Sequence, residues 1–115
     1  TLGEKSKYEL KDKSFESGKV MYENGITFGI MTDHPVLPLE YSRTQLAIFV
    51  AHGLPYLEGL KAITINAAKT VGIDNQVGSI EIGKDADIVI YDGDPLHYMT
   101  KVKTVLVRGN IAYTE

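Results

Sequence analysis

Apolar positions along the chain follow two rhythms, and the change falls near residues 72–78. From Thr1 to Lys13 the sequence is polar and without clear period, which predicts a surface segment. Ser14 can then cap a short helix running to about Glu23, ended by the turn pair Asn24-Gly25. "ITFGIMT", Ile26 to Thr32, is a run of apolar and β-branched residues between turn signals, the pattern of a parallel strand buried on both faces. From Tyr41 to Ala51, Leu46, Phe49 and Val50 recur at helical spacing, and Gly53 is placed to take the left-handed conformation that closes a helix. Pro55 suits the first turn of a further helix that buries Leu57 and Leu60. Asn66 can cap another through Val71, stopped by Gly72.

Beyond Gly72 the period shortens. "VGSIEIGKDADIVIYDGDP" alternates in short runs punctuated by Gly and Asp, and "TVLVRGNIAYT" is two apolar runs around Arg108-Gly109-Asn110, a hairpin signal. The expectation is a mixed α/β chain in two parts, 1–72 and 73–115, the second built of antiparallel strands. A doubly buried parallel strand needs neighbours on both edges, joined through helical crossovers. Only one run of that style is present, and the chain begins at Thr1 rather than Met, so the sequence reads as a piece of something longer.

Composition narrows the classes of function. The 115 residues are 43% hydrophobic and 23% charged, room for one modest core. A formal net charge of −3 with scattered Lys and Arg offers no basic stripe, so no nucleic-acid partner is expected. No apolar run approaches the roughly 20 residues that cross a bilayer, and the start lacks the basic-then-apolar pattern of a signal peptide. No membrane partner is expected either. With no cysteine there is no disulfide framework and no thiolate metal site, so any metal chemistry must use His and carboxylates. A cytoplasmic location fits that composition.

The phrases "ITFGIMTDHPVLP", "SRTQLAIFVAHGL", "GLKAITINAAKTVGI" and "VGSIEIGKDADIVIYDGDPL" together resemble the C-terminal part of amidohydrolase-superfamily enzymes, in the branch around imidazolonepropionase. The most specific element runs from Gly78 through Ser79, Ile80, Glu81, Gly83, Lys84, Ala86 and Asp87 to Val89. The resemblance implies a (β/α)₈ barrel with a divalent metal, zinc by preference, at the C-terminal ends of its strands. It also implies hydrolysis of a non-peptide, cyclic C–N amide bond in a small-molecule substrate. Ile26 to Thr32 would be the eighth barrel strand, residues 1–72 the last part of the barrel, and residues 73–115 strands of a small antiparallel β-sandwich. Asp33 would be both metal ligand and catalytic residue, taking a proton from the metal-activated water and returning it to the leaving nitrogen. His34 would contact substrate or orient Asp33.

The chain also departs from the family pattern. It contains no His-x-His pair, its histidines standing at 34, 52 and 97, and 115 residues fall well short of the about 250 of a barrel. A fragment is therefore expected: inactive alone, holding no metal alone, and prone to self-association through unpaired edges and apolar faces. Plainer readings stand beside these. Asp33 also suits a turn or helix-capping carboxylate, and His34 a surface loop. His52 is placed to meet helix-terminal carbonyls, and His97 to be solvated. Asp92 to Asp94 suit a turn better than a calcium loop, since the EF-hand spacing and its terminal Glu are missing. Two other classes remain: a non-catalytic, β-rich interaction module, and a compact hydrolase using Asp33 and a histidine without metal. No Gly-x-Ser-x-Gly elbow or phosphate loop points to another enzyme class.

Overall fold

In a computed structural model of the chain, Tyr8 and residues 14–115 are described. Most of the polar segment expected at Thr1 to Lys13 lies outside the described residues. Four short helices come first: α1 (Ser17–Glu23), α2 (Ser42–Ala51), α3 (Tyr56–Ala62) and α4 (Ile65–Val71), with one 3₁₀ turn at Leu39–Tyr41 leading into α2. Ser14 is not the cap of α1 but lies two residues before the cap residue Glu16, its hydroxyl accepting the Glu16 N–H at 3.1 Å. At the other end Asn24 folds its amide back onto the Val20 carbonyl at 2.8 Å. The Ser42 hydroxyl donates to the Leu39 carbonyl and joins the 3₁₀ turn to α2.

The helices meet over a small core whose fully buried members are Leu46 of α2 and Leu54 of the α2–α3 connection, with Ala62 and Ala68 beside them. Leu57, expected inside, is 67% exposed. Tyr56, not Pro55, is the first residue of α3, and the buried positions are Gly59 and Ala62, three apart on one face. Leu57 stands two residues before Gly59 and so on the opposite side, while Leu60 is half-buried. Asn66 likewise lies inside α4, not at its cap. The cap position belongs to Thr64, whose hydroxyl donates back to the Leu60 carbonyl at 2.8 Å.

The run from Ile26 to Thr32 forms no ladder. Its residue types suit a doubly buried strand, but among the described residues no parallel neighbour exists to pair with it. Instead Ile26 N–H donates to the Met21 carbonyl and Ile30 N–H to the Ala62 carbonyl, both at 2.9 Å. Ile26 and Met31 remain largely exposed, and only Thr32 is buried.

The second part holds an antiparallel sheet in the order β1 (Ile88–Tyr91), β2 (Val102–Val107), β3 (Asn110–Thr114). Ile88 faces Leu106, and Val105 faces Tyr113. The β2–β3 hairpin turns at Arg108-Gly109, both left-handed with φ of 48° and 77°, which is the two-residue turn whose twist matches paired strands. The sequence "VGSIEIG" is not a strand; Ile80 and Ile82 stand in solvent. That stretch is a loop knitted by side chains. Lys84 donates to the Ser79 hydroxyl at 2.6 Å and lies 3.4 Å from the Glu81 carboxylate, while Ser79 donates to the same carboxylate at 2.5 Å. Ser79 first, and Lys84 after it, hold the Glu81 carboxyl below its ordinary value. Asp87 accepts the Arg108 N–H at 2.8 Å, and Ala86 offers its carbonyl to Gly109 N–H at 3.0 Å. Gly78 is required where this loop crosses α4. Its φ is +93°, and an added Cβ would lie 2.9 Å from Ile65 Cα.

Helices and sheet together make a mixed α/β fold. The two parts are joined by Arg43 near the start of α2, which donates to the carbonyls of Pro95 at 2.6 Å, Thr100 at 3.3 Å and His97 at 3.4 Å, with its guanidinium 4.8 Å over the Tyr91 ring. Tyr56 adds a bond from its hydroxyl to Asp94 at 2.7 Å.

Candidate active site

Chemistry-bearing residues gather where the 26–32 segment ends. Thr32 is buried and the next residue, Asp33, is exposed, so the chain passes from interior to surface within one peptide. Asp33 makes that passage with left-handed backbone, φ 59°, a conformation that Asp tolerates better than most L-residues. A tight turn follows, closed by Val36 N–H donating to the Asp33 carbonyl at 2.8 Å, with a cis bond between His34 and Pro35. Among the described residues no side chain or backbone group bonds the Asp33 carboxylate, and its lone pairs face solvent. His34 is exposed beside it and makes no hydrogen bond to it.

Beneath the turn lies a polar pair that pattern-reading passed over. Gln45 of α2 is 3% exposed and donates through Nε2 to the Met31 carbonyl at 3.3 Å. Gln45 Oε1 and Thr32 Oγ1 are both buried without a hydrogen-bond partner among the described residues. The signal was available. Gln45 falls on the same helical stripe as Leu46 and Phe49, and a polar side chain on an apolar stripe asks for a partner.

The other histidines stand apart from this turn. His52 Nδ1 lies 2.8 Å from the Ile48 carbonyl at the end of α2, and its ring is 5.1 Å from that of Phe15. His97 is exposed and stacked on Tyr98. Asp92 and Asp94 are turn carboxylates: Asp92 accepts the Lys101 N–H and Asp94 the Leu96 N–H, each at 2.8 Å. The Leu96 N–H foremost, and then the Tyr56 hydroxyl, hold the Asp94 carboxyl below its usual range, and the same contact raises Tyr56.

Among the described residues no three of His, Cys, Asp and Glu come together as a metal-binding group. Asp33 offers one carboxylate, which does not amount to a metal site by itself; a catalytic zinc ordinarily takes three protein ligands. A cleft of about 330 Å³ lies at the other end of the segment, lined by Tyr22, Ile26, Phe28, Lys69 and the paired Glu58 and Lys61. Neither Asp33 nor His34 reaches it. No described helix is long and apolar enough to cross a membrane.

Known proteins resemble the chain in sequence and in fold. The chain is similar to the imidazolonepropionase of Thermoplasma volcanium, 34% identical over 114 residues that cover 89% of this chain and 27% of the relative. It is 38% identical to the 5-methylthioadenosine/S-adenosylhomocysteine deaminase of Thermoanaerobacter pseudethanolicus, over 79% of this chain and 27% of that protein. The crystal structure of an amidohydrolase from Thermotoga maritima superposes with a TM-score of 0.90 at 36% identity, covering 96% of this chain and 29% of the other. The chain thus spans little more than a quarter of the length of these relatives. The model of the amidohydrolase family matches residues 9–114, nearly the whole chain, and on that match the chain belongs to the amidohydrolase family.

Proposed function

We propose that the chain is the C-terminal portion of a metal-dependent hydrolase that cleaves a non-peptide, cyclic C–N amide bond in a small molecule. In this reading residues 1–72 belong to a (β/α)₈ barrel and residues 73–115 to a small β-sandwich beside it. One observation supports the proposal: a solvent-facing carboxylate at Asp33, unbonded among the described residues, on left-handed backbone at the end of the segment that this reading takes as a barrel strand. Backbone held in a sparsely populated region is a known mark of functional positions, and barrel chemistry sits at the C-terminal ends of the strands.

Asp33 is the proton carrier of the proposed reaction. Its carboxylate accepts a proton from the attacking water and returns it to the leaving nitrogen, so that the amine departs neutral. His34, next along the turn, contacts the substrate. A divalent metal, zinc by preference, would supply electrostatic stabilisation and a more acidic water. Its other ligands must come from outside these residues, since Asp33 is the one family ligand the chain offers.

Replacing the matching 27% of the Thermoplasma volcanium imidazolonepropionase with this chain tests the reading. Metal-dependent turnover of imidazolonepropionate by the hybrid is the expected result. A folded, metal-loaded hybrid with no turnover overturns it and favours a non-catalytic β-rich module. The chain alone is expected to give no turnover with zinc or manganese and to self-associate in light scattering. Exposed Ile80, Ile82, Met31 and Ile111 and an unpaired sheet edge favour pairing with a second copy. Metal-dependent activity of a clean monomer would count against both.

A further inference from the structure

We infer that Gln45 is a positioning residue for Asp33, acting through the backbone of Met31. The inference rests on the proposed role of Asp33 but stands on its own geometry. The segment from Ile26 to Thr32 has no ladder to hold it, and its bonds to Met21 and Ala62 lie three or more residues before Asp33. The Met31 carbonyl, two residues before Asp33, is held by Gln45 Nε2 at 3.3 Å. The direction of that amide is chemically determined, because a carbonyl oxygen only accepts and Nε2 is the donor end. Among the described residues nothing else bonds the Met31–Thr32 peptide, and nothing bonds the Thr32–Asp33 peptide that follows it.

Gln45 has no other visible task. It is 3% exposed, and its Oε1 is buried without a partner, so an apolar side chain of the same size would be easier to bury there. Thr32, the residue after Met31, also has a buried hydroxyl with no partner among the described residues. Gln45 fixes the carbonyl, and the carbonyl fixes the entry angle of Asp33. Small errors at that point swing the carboxylate away from the reacting atoms, where misplacement by about 1 Å lowers rates by up to about 10²-fold.

The experiment begins with the unmodified chain. The Gln45 side-chain amide protons should exchange with solvent at least about tenfold more slowly than those of a free glutamine, followed by NMR. Exchange at the free rate overturns the clamp. Gln45→Met keeps the volume and removes the donor. It should speed exchange of Val36 N–H, the bond that closes the Asp33 turn, by about tenfold, leaving Ile73 N–H, bonded to the Ala68 carbonyl just past α4, unchanged. A side chain that merely filled the core would leave Val36 unchanged, and that result also overturns the proposal. In the hybrid enzyme Gln45→Met should lower kcat by about tenfold with KM for imidazolonepropionate within about twofold. A change confined to KM rejects a positioning role. Near-normal turnover of Asp33→Asn in the same hybrid would instead reject the role of Asp33, and would leave the exchange measurements standing.

Discussion

The loop and sheet from Gln76 onward and the segment from Ile26 to Val36 are held by opposite means. In the first, nearly every turn is fastened by a side chain close in sequence or by the next hairpin: Lys84 on Ser79, Asp87 on the Arg108 amide, Asp92 on the Lys101 amide. In the second, an apolar run with no ladder carries one buried polar atom, Thr32 Oγ1, with no partner among the described residues, and ends in left-handed backbone at Asp33. Outside the 94–100 loop, which Arg43 and Tyr56 hold from the helices, the first region is fastened by its own bonds. The segment that carries Asp33 depends on contacts from far along the chain, from Ala62 and Gln45.

The sharpest way to use this contrast is to alter one residue on the reactive side. In the hybrid enzyme Asp33→Asn should lower turnover by roughly 10² to 10⁴ while the melting temperature barely moves, because Asn accepts the same left-handed backbone but cannot carry the proton. Kinetics and calorimetry on one preparation decide, and near-normal turnover sinks the catalytic reading. On the self-fastened side the effect should fall on stability instead. Gly78→Ala places a Cβ against Ile65 Cα at a positive φ, and should cost about 3 kcal/mol in urea unfolding. An unchanged midpoint would show that the loop's crossing over α4 is not the tight contact described.

The joint between the regions is the next place to press. Arg43→Lys keeps the charge but loses the planar fork that reaches three carbonyls, so unfolding should become easier by about 1–2 kcal/mol. Equal stability would mean that Tyr56 and the chain connection suffice. The smallest effect is expected from acid. Asp94 and Glu81 titrate below their ordinary values, so their contribution is complete above about pH 4 and is lost as the pH falls through the depressed values. The unfolding midpoint should drop as the pH falls below about 4, and Asp94→Asn should flatten that drop. Both groups face solvent, so screening keeps the change small.

Much of the fold was legible because the relevant signals are local. Asn24-Gly25, Gly72 and Arg108-Gly109 stop or turn the chain where backbone chemistry says they must. Errors came where the answer depends on distant partners. Ile26 to Thr32 has the composition of a buried strand, yet strands exist only in pairs, and composition does not supply the neighbour. Leu57 was misplaced by the face that Gly59 and Ala62 select, and the "VGSIEIG" alternation by side-chain bonds that compete with a ladder. At the candidate site, Asp33 and His34 drew notice through residue type and resemblance. Gln45 did not, because its meaning lies in being buried beneath a carbonyl fourteen residues away.

Arg43 grips the 95–100 loop almost wholly through backbone oxygens, those of Pro95, His97 and Thr100. Every residue type carries that oxygen. The loop can therefore change its letters freely, as long as Asp92 and Asp94 keep its turns and Tyr91 its ring under the guanidinium. What it cannot change is its count of residues. An insertion or deletion of one position between Pro95 and Thr100 would carry the carbonyls out of register with the fork, so tolerance of substitution and intolerance of length change should coexist in the same few residues.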